Sequence, residues 1–104
     1  MGENIADHGG LQVSFQAFRN ATKSAPLTAV DGFTPEQRFF LAYANVWAGN
    51  IRPEEILKRT KSDPHSLGKW RVNGALPHIQ AWYDAFNVKQ TNKMYVAPEL
   101  RASI

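Results

Sequence analysis

The sequence contains no cysteine. A disulfide framework and a thiolate metal site are both excluded, a pattern that fits a cytosolic or bacterial protein without excluding secretion or export. No apolar run approaches the roughly 20 residues that a membrane-spanning helix needs. The start, Met1-Gly2-Glu3-Asn4, has neither the basic stretch nor the apolar core of a secretory signal. Internal repeats and low-complexity stretches are missing too. Charge of one sign is not dominant: 12 Lys and Arg face 9 Asp and Glu, for a net charge of +3. The densest basic run, Lys58-Arg59-Thr60-Lys61, lacks the aromatic interleaving and groove-reading motif of a nucleic-acid binder. It reads as the solvated end of a helix, where cations complement the dipole, and no nucleic-acid partner is expected.

What the sequence does have is rings. Three Trp, three Tyr and six Phe sit in 104 residues, the size of one domain. A domain this small buries roughly 60–70% of its unfolded surface. So many rings must be covered by that core or by something outside this chain. With 43% hydrophobic residues the composition is globular and not disordered.

The apolar spacing is helical. Ile5, Leu11, Phe15 and Phe18 share one broad stripe and predict a helix over Glu3 to Arg19. Gly9-Gly10 interrupts it, and close packing against a neighbour is the usual reason to keep paired glycines in a helix. Thr22 to Phe33 reads as a loop. Thr34 as N-cap, Pro35 at the first helical position and Gln37 closing a capping box then predict a helix start. Phe39, Phe40, Tyr43, Val46 and Trp47 form its apolar face, and Gly49 is expected to end it. Pro53 opens a shorter helix to about Arg59 with Ile56 and Leu57 turned inward. Ser62 to Gly74 reads as irregular, with Lys69 to Val72 briefly extended. Pro77 opens a last helix to Phe86, and Asn87 suits a left-handed cap. The expected fold is all-α: a small bundle of about four helices with irregular functional loops.

Three spots carry chemistry. In Glu3-Asn4-Ile5-Ala6-Asp7, two carboxylates four apart share one helix face. They are either solvated acids in a first turn, which the dipole favours, or a metal-ligating Glu with an Asp that orients a histidine ligand. In Asp63-Pro64-His65-Ser66-Leu67-Gly68-Lys69-Trp70-Arg71, His65 and Arg71 either converge on one anionic group or are ordinary loop residues. Val46-Trp47 is either core packing or the wall of an apolar pocket. His8 and His78 have no comparable company and read as surface or packing residues.

Taken together, these stretches resemble a family. Glu3-Asn4-Ile5-Ala6-Asp7-His8-Gly9-Gly10 is similar to the E-N-x-x-D-x-G-G motif of neprilysin-like and endothelin-converting-enzyme-like zinc peptidases. Thr34 to Leu41, Tyr43 to Trp47, and His65-Ser66-Leu67-Gly68-Lys69-Trp70-Arg71-Val72-Asn73-Gly74 continue the resemblance in order, as far as about Phe86. The family's own loop has Pro where Leu67 stands. Ala48 stands where vertebrate-like members carry Cys, which points to a bacterial-type member.

The resemblance implies that residues 1–104 are the C-terminal part of a larger, mainly α catalytic domain. It implies that Glu3 is the third zinc ligand and that Asp7 hydrogen-bonds a zinc-bound histidine. His65 would stabilise the oxyanion, and Arg71 would bind a substrate backbone carbonyl. Val46 and Trp47 would line the pocket for a large apolar residue after the scissile bond. H-E-x-x-H, which supplies the other ligands and the base, occurs nowhere in the 104 residues. The expectations are therefore an exported, periplasmic or cell-surface peptidase with one zinc ion and peptide substrates. The isolated chain is expected to be inactive, to bind zinc weakly, to need the missing N-terminal part of its own protein, and to self-associate, for instance by swapping a terminal helix. The rival expectation is a small helical interaction module without catalysis, in which the site residues do not converge.

Overall fold

The computed structural model describes residues 2–49, 52–62 and 67–102, the first three of these and Ser62 by backbone alone. Among the described residues five helices follow one another: α1 (Gly2–Thr22), α2 (Pro35–Val46), α3 (Pro53–Ser62), α4 (Gly68–Ala75) and α5 (Gln80–Phe86). Short 3₁₀ turns occupy Leu76–His78 and Pro98–Leu100. The described residues contain no strand beyond one isolated bridge, between Val30 and Phe33. It closes a two-residue turn in which Asp31 and Gly32 both have positive φ, 53° and 81°, the geometry that Asp-Gly adopts most readily. The all-α class is as expected.

Local chemistry sets the best-defined start. The Thr34 hydroxyl accepts from the Gln37 N–H at 3.1 Å, and the Gln37 side chain accepts from the Thr34 N–H at 3.0 Å. Two otherwise unpaired helix-end donors are thus satisfied reciprocally. The Gln37 amide also donates to the Ala85 carbonyl at 2.9 Å, tying the start of α2 to α5. At the far end of α5, Asn87 takes the left-handed cap at φ 52° and ψ 46°.

The core is aromatic. Leu11 and Phe15 from α1, Phe40 from α2, and Leu76, Ile79, Trp82 and Tyr83 from the C-terminal third form one cluster. Phe40, 1% exposed, stacks on Phe15 at 5.1 Å and meets Phe39 edge-on at 5.3 Å. Such pairs add about 0.5–1.5 kcal/mol each beyond the apolar area they bury. The Tyr83 hydroxyl donates to the Pro77 carbonyl at 2.6 Å and accepts from the Val96 N–H at 3.0 Å. Arg101 lies over the Tyr83 ring at 3.8 Å and fastens the tail back onto α5.

Four expectations need correction. The glycine pair does not interrupt α1, which runs unbroken to Thr22. A side chain at Gly10 would meet nothing within 4 Å, so close packing does not explain that glycine. Lys69 to Val72 is not extended; it lies within α4, which starts where Trp70 and Arg71 donate to the Leu67 carbonyl. Pro77 lies in a 3₁₀ turn, and Ile79 breaks to an extended conformation, φ −114° and ψ 112°, before α5 begins. That break turns Ile79 into the core. Finally, Ile56 and Leu57 are 39% and 58% exposed, because α3 is not closely packed on the other helices.

The molecule is open. Its radius of gyration is 15.2 Å, against about 13 Å for a compact domain of this length. Its accessible surface is 7533 Å², where a compact monomer of 11.7 kDa exposes roughly 5,900 Å². Ile5, Val13, Leu41, Val46 and Trp70 contribute to the excess.

Candidate functional site

Asp7 sits in the second turn of α1 and Arg71 in the first turn of α4, 64 positions apart. Their side chains form a two-pronged pair. Arg71 Nε donates to Asp7 Oδ2 at 2.6 Å and Nη2 donates to Oδ1 at 2.8 Å. Arg71 is only 11% exposed and Asp7 13%, so the charges are largely out of water. The fork geometry offsets the desolvation that such a pair costs.

Helix α2 supplies the support. The Arg71 guanidinium lies over the Trp47 ring, with Cζ 4.1 Å from its centroid, a cation–π geometry. One turn earlier, the Tyr43 hydroxyl donates to the Arg71 carbonyl at 3.2 Å. Burial and the nearby Asp7 carboxylate push the Tyr43 phenol above its ordinary value; it stays protonated and able to donate at neutral pH. Trp47 and Arg71 oppose that rise, and less strongly. Trp47 makes no regular hydrogen bond in doing so, since its Nε1 is buried without a partner.

The start of α4 is fitted to the backbone of the same tryptophan. A Cβ at Gly68 would stand 2.8 Å from the Trp47 carbonyl oxygen and 3.2 Å from its Cβ. Only glycine can enter here without displacing backbone.

Beside the ion pair runs an apolar groove of ≈ 380 Å³ between α1 and α2. Asp7 and Gly10 line its α1 side, and Phe39, Tyr43 and Val46 its α2 side. Val46 is open to it and largely exposed. Of the residues expected to form the site, Asp7, Arg71 and Trp47 come together, and Val46 joins Asp7 at the groove. Glu3 belongs to α1 one turn before Asp7. Its side chain, and all of His65, lie outside the described residues.

Sequence reasoning missed two features. Tyr43 was expected as part of an apolar face, but its hydroxyl reaches Arg71. The clue was the residue type, because a Tyr on a buried face needs a partner for its oxygen. The second is a histidine pair on another side of α1. His8 is 4% exposed, and its ring lies 5.7 Å from that of His78. The Gln12 amide nitrogen is 2.7 Å from His8 Nε2, which accepts its proton only when the ring is neutral. Burial and His78 both lower the His8 pKa. His78 Nδ1 accepts from the Ala102 N–H at 2.8 Å. No spacing signal links residues 70 positions apart.

Among the described residues there is no group of three or more His, Cys, Asp or Glu able to hold a metal ion. His8 packs on His78 and does not join Asp7.

Comparison with known proteins places this arrangement. Human membrane metallo-endopeptidase-like 1 is 38% identical over 99 residues, 91% of this chain and 13% of that protein. Human neprilysin is 35% identical over 108 residues, covering 100% of this chain and 14% of neprilysin. Among solved structures, zinc metalloprotease Zmp1 of Mycobacterium tuberculosis in its open state superposes with a TM-score of 0.93 at 35% identity. That match covers 99% of this chain and 16% of Zmp1. The chain thus spans about a seventh of the curated relatives it matches. The sequence model of Peptidase family M13 matches residues 1–102, and the chain belongs to that family.

Proposed function

We propose that residues 1–104 are the C-terminal part of the catalytic domain of a zinc metalloendopeptidase, one that favours a large apolar residue after the scissile bond. The observation that carries this reading is the meeting of Asp7 and Arg71 beside an apolar groove. The rival reading, an interaction module without catalysis, predicts no convergence of the site residues on one cleft. The match to Peptidase family M13 and the likeness to a zinc metalloprotease support the same reading.

The residues present fit a share of a zinc site and not a whole one. Glu3 supplies one carboxylate ligand. Asp7 orients a ligand histidine of H-E-x-x-H, contributed by the rest of the protein. A carboxylate offers about four lone-pair positions, so the fork to Arg71 leaves Asp7 room for that histidine N–H. When bound, zinc supplies an activated water and polarises the scissile carbonyl. Arg71 holds a substrate backbone carbonyl, and His65 donates to the developing oxyanion. Val46 and Trp47 wall the pocket that takes the apolar side chain.

Alone, the chain has one carboxylate ligand and no base. It binds zinc weakly, does not cleave peptides, and self-associates through the apolar surface that the rest of the protein would cover. The parent enzyme is exported, periplasmic or at the cell surface of a bacterium. No helix among the described residues is long and apolar enough to cross a membrane.

The test is hydrolysis by the parent-length protein of paired peptides differing only after the scissile bond, Leu or Phe against Gly. Cleavage should stop with a chelator, return with zinc, and favour the apolar peptides by at least about tenfold. Cleavage indifferent to zinc removal, or the absence of any cleavage, would sink the reading.

A further inference from the structure

Helix α4 has little reason to stand by itself. It is eight residues long, starts at Gly68, contains Gly74, and has no side-chain cap at Leu67. Isolated helices shorter than about 12 residues are marginal in water, and each interior glycine weakens them further. The direction in which Arg71 leaves this helix is therefore set from outside. Asp7 and Trp47 grip the guanidinium. Both act at the tip of a long, flexible side chain, and neither fixes the backbone from which it springs. The Tyr43 hydroxyl acts on that backbone directly, bonding the Arg71 carbonyl at 3.2 Å, and so adds to the packing of α4 on α1 and of Gly68 against Trp47.

Packing does not account for that hydroxyl. A Phe ring would line the groove equally well, and the neighbouring apolar position of α2, Phe39, is a Phe. Tyr43 and Trp47 lie four residues apart in the chain, Tyr43 on α2 and Trp47 at its C-cap. One holds the backbone of Arg71 and the other the face of its head group.

We propose that Tyr43 is a positioning residue for Arg71, fixing the backbone of α4 so that the guanidinium meets the substrate carbonyl at a set place and angle. The proposal rests on the reading of Arg71 as the substrate-carbonyl contact. Tyr43 touches no reacting atom; its effect passes through Arg71.

The experiment is Tyr43→Phe in the parent-length enzyme, alone and combined with Arg71→Ala. The single variant should raise KM for an apolar peptide roughly 3–10-fold, the worth of one ordinary hydrogen bond, with kcat within about twofold. In the Arg71→Ala background it should change nothing further, because the residue through which it acts is gone. An unchanged KM, or an equal loss in both backgrounds, overturns the proposal. A protein without zinc-dependent hydrolysis would refute the functional reading, and the positioning role is then decided by NMR on the same parent-length protein labelled at arginine. Hydrogen exchange at Arg71 Nε should quicken in Tyr43→Phe if the hydroxyl holds Arg71 against Asp7. An unchanged exchange rate would show that it does not.

Discussion

Asp7 and His8 are neighbours in the chain, and α1 turns them to two different sides. Both side chains are largely removed from water, yet the two sides are built on different electrostatics. On the Asp7 side a largely buried acid and a largely buried base meet in a two-pronged bond. On the His8 side a buried base meets another base, and burial together with His78 favours its neutral form. The charged side adjoins the groove; the neutral side adjoins the core residues Phe15 and Ile79. The difference teaches that burial alone does not decide whether a titratable group is charged. The sign of its nearest partner counts beside it.

That contrast can be broken from either side. The largest effect should come from Asp7→Ala, which leaves the Arg71 guanidinium buried without its carboxylate. Breaking a buried pair in this way costs about 3–5 kcal/mol, measured as a fall in the urea midpoint. Loss of less than about 1 kcal/mol would mean that Trp47 alone suffices to hold the cation. A smaller effect is expected from His8→Asn, and it should depend on pH. Because the folded-state pKa of His8 lies below 6.5, the unfolded chain takes up the proton first as pH falls. Stability is therefore lost as pH drops from about 6.5 through the lowered value. The Asn variant should flatten this acid limb, and an unaltered pH profile would place the acid sensitivity elsewhere. The smallest effect belongs to Tyr43→Phe at high pH. The raised phenol pKa means that the unfolded chain ionises first, so stability falls as pH climbs from about 10 through the raised value. Removing the hydroxyl should remove that alkaline loss from a denaturation series.

Much of this architecture was legible in the sequence, for identifiable reasons. Thr34, Gln37 and Asn87 announce helix ends because capping is local: donor and acceptor lie within four residues. The aromatic stripe Leu11, Phe15, Phe18 works the same way at helical period. Helix α4 was not legible. Its Lys-Trp-Arg-Val run has no apolar period, and it is held by Tyr43, Asp7 and the Trp47 carbonyl, all distant in the chain. The exposed Ile56 and Leu57 misled for the opposite reason, since an amphipathic pattern states which face wants cover and not whether cover is present. Asp7 and Arg71 were both singled out in the sequence through their motifs. That they bond each other was not, because a motif lists residue types and leaves their pairing to the fold.

Gly68 has no side chain to bond or to ionise, yet the Trp47 carbonyl lies 2.8 Å from where its first side-chain atom would stand. Even a methyl group there must move backbone, and the backbone it moves carries the indole beneath Arg71. A survey of tolerated substitutions along this chain would accordingly find an inert residue as intolerant as the charged ones. It would rank Gly68 with Asp7 and Arg71, above most of the aromatic core, where neighbouring rings can shift to take up a changed shape.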